Sequence, residues 1–173
     1  QCCDNVLAEN SATHGGDGFF GFAGREALGE APAPQADFDY RRRGNNHNLL
    51  IKNDFSYAPA HGIELTFSFG NQLIANRLVG NAICGVWGGY SQDTLIAGNE
   101  IEDNGEMGYG LERGGVNIEH GRGNRVVHNK FKRNVCGVHF WWDPDEQLAS
   151  QPWAKANEPE SVDNLIAANE FVG

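Results

Sequence analysis

Six short stretches of the chain repeat one pattern, in which aliphatic residues are followed by a spacer and an asparagine. An internal repeat constrains a fold strongly, because it states which side chains share a face. The six stretches are Val6 to Asn10, Leu49 to Asn53, Gln72 to Asn76, Leu95 to Asn99, Arg125 to Asn129 and Leu165 to Asn169.

Apolar residues stand at fixed positions on both sides of the repeated asparagine. The local alternation has period two and predicts inward positions of short strands, with the asparagine at the turn between them. Asparagine tolerates left-handed backbone, and its amide both donates and accepts hydrogen bonds, so we expect the copies to stack in a ladder. The column three positions earlier contains Leu7, Leu50, Leu73, Ile96, Val126 and Ile166; the column two positions later contains Ala12, Phe55, Leu78, Ile101, Phe131 and Phe171.

A further strand follows in most repeats, each time after a glycine. Every repeat thus supplies two or three strands and two turns, and leaves no room for a crossover helix. The sequence therefore predicts an all-β fold, a right-handed parallel β-helix of about six coils. The glycine-initiated segments begin at Gly18, Gly62, Gly85, Gly115 and Gly137.

Unequal spacing of the asparagines predicts three insertions. The spacings are 43, 23, 23, 30 and 40 residues, so the bare coil has 23 residues and the others loop out the excess. We expect the excursions at 23–44, roughly 104–114 and 142–163, all close to the glycine-initiated strand. Insertions collected on one face of a solenoid often build its binding surface.

Length and composition indicate one domain. A chain of 173 residues with 40% hydrophobic content can bury one continuous core, so we expect a single β-helix domain over 1–173. Neither Gln1 nor Gly173 adjoins a capping element, which predicts a fragment of a longer solenoid. There is no signal-like stretch and no run of 18 apolar residues.

Charge and cysteine content restrict the possible partners. The net charge of −10 opposes binding to nucleic acid or to an anionic membrane surface. Cys84 and Cys136 both precede a strand glycine but lie two coils apart, about 9 to 10 Å at the usual strand spacing, which is too far for a disulfide. We expect the cysteines to be small buried hydrophobic residues and leave the redox compartment open.

The outward positions of the glycine-initiated strands carry an unusual mixture of side chains. Flat aromatic rings beside hydrogen-bonding groups match the faces and hydroxyl edges of sugars, which favours a carbohydrate-binding groove. The alternative is that the insertions cover Trp87 and Trp141 and make them a second core. Counting two and four residues after each glycine gives the outward strip: Phe20, Phe22, Glu64, Thr66, Trp87, Gly89, Asn117, Glu119, His139 and Trp141.

Three side chains of this strip are candidates for catalysis. His139 is a candidate acid or base, or else a structural hydrogen-bonding group. Glu64 and Glu119 are two coils and two residues apart, about 11 to 12 Å, whereas glycosidases use roughly 5 to 9.5 Å. A loop acid, Asp143, Asp145 or Glu112, would have to replace one of them.

Candidate substrate-binding residues lie in the strip and in the insertions. Arg113 and Glu112 could fold over the groove from the second insertion, although solvated side chains are the alternative. No cofactor is expected, although Asn117, Glu119 and an insertion acid could together bind Ca²⁺. The predicted substrate contacts are Trp87, Trp141, Asn117, Phe20, Arg113 and Asp143.

The repeats resemble the pectate-lyase-like superfamily of right-handed β-helices over essentially the whole chain. That resemblance implies a secreted or periplasmic protein that acts on a polysaccharide. The segment from Gly115 to Gly121 is similar to the arginine-histidine-glycine strand of alginate-lyase-type enzymes. However, Glu119 stands at the arginine position, and the segment from Glu64 to Ser68 lacks the lysine, so that elimination mechanism is not carried over. The aspartate-proline-histidine motif of the epimerases is also absent.

The sequence therefore favours an enzyme that cleaves a polysaccharide, as a hydrolase or a lyase. His139 and Glu119, or Glu64, would share the acid and base roles. A non-catalytic glycan-binding or adhesin-like segment of a larger surface protein is the main alternative. A purely structural spacer is the third.

Overall fold

The computed structural model describes residues 2–28 and 38–173, in which three parallel sheets form a right-handed β-helix. Sheet A has six strands, sheet B four and sheet C five. Sheet A contains β1 (Val6–Ala8), β3 (Leu49–Ile51), β5 (Gln72–Ile74), β8 (Leu95–Ala97), β11 (Arg125–Val127) and β14 (Leu165–Ala167). Sheet B contains β6 (Arg77–Val79), β9 (Glu100–Glu102), β12 (Lys130–Lys132) and β15 (Glu170–Val172). Sheet C contains β2 (Phe19–Gly21), β4 (His61–Phe69), β7 (Cys84–Gln92), β10 (Gly114–Glu119) and β13 (Val138–Trp141).

The strand register confirms the predicted columns. Leu50 pairs with Leu73, and Leu73 pairs with Ile96, one coil further on. These side chains are fully buried, as are the inward residues of sheet C such as Ile63 and Ile118. Apolar side chains from all three sheets thus form one continuous core, which is the main source of stability in a solenoid.

The repeated asparagines form the predicted ladder at the turn between sheets A and B. Each amide nitrogen donates to the side-chain oxygen of the asparagine in the next coil, at 2.8 to 3.1 Å. The sequence interpretation placed the left-handed backbone at the asparagine itself, and this was wrong. Positive φ angles occur at the preceding residue instead, as at Lys52 and Ala75. The asparagine backbone N–H is held by the amide oxygen of the next coil, which fixes its position.

The structure contains two further asparagine ladders that the sequence interpretation did not predict. One precedes sheet A and includes the bonds from Asn48 to Asn71 and from Asn124 to Asn164. The other follows sheet B and joins Asn81, Asn104 and Asn134. Ladders at several corners of the coil satisfy buried backbone groups that no strand pairs.

The three insertions flank the two margins of sheet C. The first contains α1 (Gly24–Ala27), and the third contains α2 (Glu146–Ala149) and α3 (Pro152–Asn157). Trp153 of α3 is fully buried against Phe67 and Tyr90, and its indole nitrogen donates to the carbonyl of Arg43 at 2.8 Å. The first and third insertions are therefore packed together at the ends of β4 and β7, whereas the second precedes β10.

The cysteines within the described ranges form no disulfide. Cys84 pairs in register with Gly114, and the backbone of Cys136, one coil further on, packs against Gly114. This confirms the separation by two coils. Burial raises the pKa of the Cys84 thiol. The expectation that the cysteines are buried was wrong for the other three, because Cys2 is exposed and Cys3 and Cys136 are partly exposed. Across 2–28 and 38–173, no helix has the length and hydrophobicity needed to span a bilayer.

Candidate functional site

The outward face of sheet C brings the predicted strip together in the expected order. Glu64 pairs with Phe20 on one side and Trp87 on the other. Asn117 lies between Trp87 and His139, and Glu119 pairs with Trp141. Parallel register therefore collects residues from five distant parts of the chain along one face, with neighbouring strands about 4.8 Å apart.

The indole of Trp87 lies across the strand over Gly89. A Cβ atom added at Gly89 would stand 2.6 Å from the indole atom Cη2, so the absence of a side chain there is required. The ring of His61 also stacks on the indole, with a centroid separation of 5.8 Å. The Trp87 Nε1 atom is buried and has no hydrogen-bond partner among the described residues.

Glu64 is a half-buried acid beside this indole. Burial raises its pKa to about 7, and the charges of Asp17 and Glu112 act in the same direction. Its Oε2 atom lies 4.0 Å from Nε2 of His61, an imidazole whose own pKa is lowered by burial. Asp17 accepts a hydrogen bond from the His61 backbone N–H at 2.9 Å, so it shapes this end of the site.

Glu119 is a second half-buried acid, two coils further along. Burial raises its pKa to about 7, and the charges of Asp143, Glu112 and Asp145 act in the same direction with smaller effect. The confirmed register keeps the Cα atoms of Glu64 and Glu119 about 11 to 12 Å apart, since two coils and two residues separate them. The charge of Glu112, in the second insertion, raises the pKa of both glutamates, so Glu112 lies close enough to act on each of them.

A buried histidine beside Glu119 was not among the residues predicted for the site. His120 has no solvent exposure, and its Nε2 atom lies 3.1 Å from Asp143 Oδ1 and 3.7 Å from Glu119 Oε1. Its Nδ1 atom lies 3.1 Å from the carbonyl of Pro159. The ring stacks on Tyr90 with a centroid separation of 4.6 Å and an interplanar angle of 6°.

An aromatic column marks His120 in the sequence. The fifth residue after the strand glycine is an aromatic residue or a histidine in four successive coils. The outward strip ends one residue earlier, at the fourth residue after the glycine. These rings stack or meet edge to face from coil to coil. The column consists of Phe67, Tyr90, His120 and Trp142.

The second insertion covers the far end of the strip, and this corrects the prediction for Asn117. That residue faces outward in register but is fully buried. Its amide nitrogen donates to the Leu111 carbonyl at 2.6 Å, and its oxygen accepts from Trp141 Nε1 at 2.9 Å. His139 Nδ1 also lies 3.2 Å from the Leu111 carbonyl. The amide groups of Asn117 are thus used within the protein, and its predicted contact with substrate is not available in this arrangement.

The remaining predicted contacts lie around the margins of the strip. Phe20 is 54% exposed and stacks on Phe22. Arg113 is exposed and donates to the carbonyl of Gly110 at 2.7 Å, within its own loop. Asp143 is half exposed and belongs to the His120 cluster. The alternative of a second core applies to Trp153 rather than to Trp87 and Trp141, which remain partly accessible.

Three more buried polar atoms of sheet C have no hydrogen-bond partner among the described residues. They are Nδ1 of His61 and the hydroxyls of Thr66, which pairs with Gly89 in register, and Tyr90. Burial raises the pKa of the Tyr90 phenol, and so do the charges of Glu119, Asp145 and Asp143. The centre of the face therefore contains buried polar groups whose hydrogen-bonding capacity is free.

The oxygen of Asn117, one of the predicted calcium ligands, accepts a hydrogen bond from Trp141, so one lone pair remains for a cation. A different group of possible ligands lies nearby: single atoms of Glu119, His120 and Asp143 are all within 4.8 Å of one another.

Together the fold and the register define a β-helix protein whose sheet C carries acidic and aromatic side chains on its outward face, and we call this face the groove. A family model described as the right handed beta helix region matches residues 34–148, well over half of the chain. The chain therefore belongs to the right-handed β-helix family. No curated protein and no solved structure matches it significantly.

Proposed function

We propose that the protein binds a glycan along the outward face of sheet C and hydrolyses it there. The observation that carries this proposal is the partly exposed Trp87 indole, which packs against Gly89 between two protonatable glutamates. An indole face packs on the apolar face of a sugar ring, and the adjacent polar groups suit its hydroxyls. The partly exposed carboxyl groups of Glu64 and Glu119 supply such groups.

The acid-rich character of the groove supports hydrolysis rather than elimination. Glycoside hydrolysis passes through an oxocarbenium-like transition state, which carries positive charge and is stabilised by carboxylates. Elimination from a uronate develops negative charge and needs cations. The outward strip contains two glutamates and neither lysine nor arginine.

Glu64 is the proposed general acid. With a pKa near 7 it retains its proton at neutral pH in a substantial fraction of molecules, and it lies beside the Trp87 indole. Glu119 is too distant to complete a glycosidase pair with it at about 11 to 12 Å. Glu112, which influences both glutamates electrostatically, is the proposed second carboxylate. His139 would then position the loop carrying Glu112, through the Leu111 carbonyl.

The test is a panel of neutral oligosaccharides incubated with the whole chain, followed by chromatography of the products. We expect shortened products without ultraviolet-absorbing unsaturated ends, and a rate that declines as pH rises above about 7, because Glu64 loses its proton. Glu64→Gln should reduce the rate at least 100-fold and leave binding intact, whereas Glu170→Gln, on sheet B, should change neither.

Binding without any shortening would favour the non-catalytic glycan-binding segment. That alternative is supported by the large separation of Glu64 and Glu119 and by the burial of Asn117. Unsaturated products would contradict hydrolysis. If no panel member binds, the proposal fails for neutral glycans.

A further inference from the structure

We propose that Glu119, His120 and Asp143 form a binding site for a divalent transition-metal ion of the zinc type. The proposal does not rest on glycan binding or cleavage. It starts from the fully buried imidazole of His120 and the two carboxylates that face the same ring nitrogen.

Hydrogen bonding fixes which nitrogen of His120 can act as a ligand. A carbonyl oxygen only accepts, so the 3.1 Å contact with Pro159 requires a proton on Nδ1. In the neutral ring Nε2 then carries a lone pair that points at Asp143 and Glu119. A lone pair facing two carboxylate oxygens is repulsive unless a cation or a proton lies between them. Metal-binding histidines commonly donate their other ring N–H to a carbonyl in this way.

The distances suit a small cation at the centre of the group. With bonds of about 2.1 Å, the separations of 3.1 and 3.7 Å from Nε2 correspond to ligand angles of about 95° and 125°. All three ligand atoms lie within 4.8 Å of one another. Asp143 is half exposed on the third insertion, so small rotations of its side chain can complete the site without moving the core.

A second observation points to a ligand at the same place. The Tyr90 ring lies parallel to His120, and its hydroxyl is buried with no partner in the described part of the chain. An unpaired buried hydroxyl is unfavourable, because it has lost its hydrogen bonds to water. A water molecule bound to the metal would give this hydroxyl a hydrogen-bond partner.

The donor set selects the kind of metal. Imidazole nitrogen favours zinc and other late first-row ions, whereas calcium and magnesium prefer oxygen ligands only. Three protein ligands leave at least one coordination position open.

Calorimetric titration of the metal-free full chain with zinc chloride tests the site. Cys2→Ser and Cys3→Ser are present in every sample, because adjacent thiols, here one exposed and one partly exposed, bind zinc independently. We expect one zinc per chain and an affinity at least 100-fold higher than for calcium chloride. Asp143→Asn should weaken zinc binding at least ten-fold, and His120→Gln more.

The control is Asp163→Asn, which removes one acid of the third insertion outside the group and should leave zinc affinity unchanged. Because His120 is buried, the His120→Gln chain is first checked for folding by circular dichroism; Asp143→Asn tests the site even if that chain is unfolded. Equal zinc affinity in Asp143→Asn and in its parent overturns the proposal, and so does calcium binding as tight as zinc. A nitrogen chemical shift of His120 Nε2 that does not change on zinc addition would also contradict it.

Discussion

The ladder between sheets A and B and the groove on sheet C both contain buried polar side chains, but they use them differently. In the ladder, the Asn76 amide donates to Leu50 and Asn99, and its oxygen accepts twice from Asn53. In the groove, Trp87 Nε1 and the hydroxyl of Thr66 have no partner among the described residues. The ladder is satisfied internally and serves stability. The polar groups of the groove are buried without such partners, which lowers stability.

The two regions also differ in charge. The ladder is built from neutral amides, whereas the groove places Glu64 and Glu119 where burial raises their pKa values to about 7. Buried acids reduce the stability of a fold at neutral pH, because their charged forms are poorly solvated. We therefore expect substitutions to destabilise the ladder and, in selected cases, to stabilise the groove while removing its function.

The largest effect is expected in the ladder. Asn76→Ala should lower the free energy of unfolding by about 4 kcal/mol, since it leaves several buried donors and acceptors unpaired. Asn10→Ala, at the exposed first position of the same ladder, should cost less than about 1 kcal/mol. Urea denaturation of both variants measures the difference. Equal losses would show that the ladder is not the reason for the stability of the central coils.

The groove should show an effect of the opposite sign. Glu64 has its pKa raised from 4.5 to about 7 in the folded protein, so between these values the folded state binds more protons and stability falls as pH rises. Glu64→Gln removes this penalty. We expect it to raise the free energy of unfolding by about 2 kcal/mol at pH 8, allowing for partial exposure, and to change it little at pH 4.

Denaturation curves at the two pH values check this prediction, with Glu170→Gln as the control for loss of an exposed acid. A Gln variant that is less stable than the parent at pH 8 would mean that the Glu64 carboxylate is stabilised by a partner instead of being destabilised by burial.

The smallest effect concerns the position of the indole. Gly89→Ala places a Cβ against Trp87, so the ring must move, and we expect a loss of about 1 kcal/mol of stability and a shifted indole N–H signal in the NMR spectrum. Gly16→Ala is the matched control, because an added Cβ there meets nothing within 4 Å. An unchanged indole signal in Gly89→Ala would contradict the arrangement of Trp87 over this glycine.

Repetition explains how much the sequence could predict. The asparagine and glycine columns gave the coils, the inward residues, the three insertions and the order of the strip on sheet C, because each depends on local periodicity. The burial of Asn117 and the contacts of His120 depend on where the insertions fold back onto sheet C. Because the insertions do not repeat, their residues could not be aligned with those of other coils, and these contacts could not be predicted. The one sequence signal for His120 is the aromatic column that also contains Tyr90, one residue beyond the outward strip.

The central claim is that the groove around Trp87 binds a glycan. The most direct measurement follows the four indole N–H signals during titration with short neutral oligosaccharides. The account predicts that at least one oligosaccharide shifts the Trp87 signal in a saturable manner and leaves that of Trp153, which is fully buried in the third insertion, unchanged. A Trp87 signal that stays constant throughout, while an exposed indole such as Trp142 responds, would contradict it.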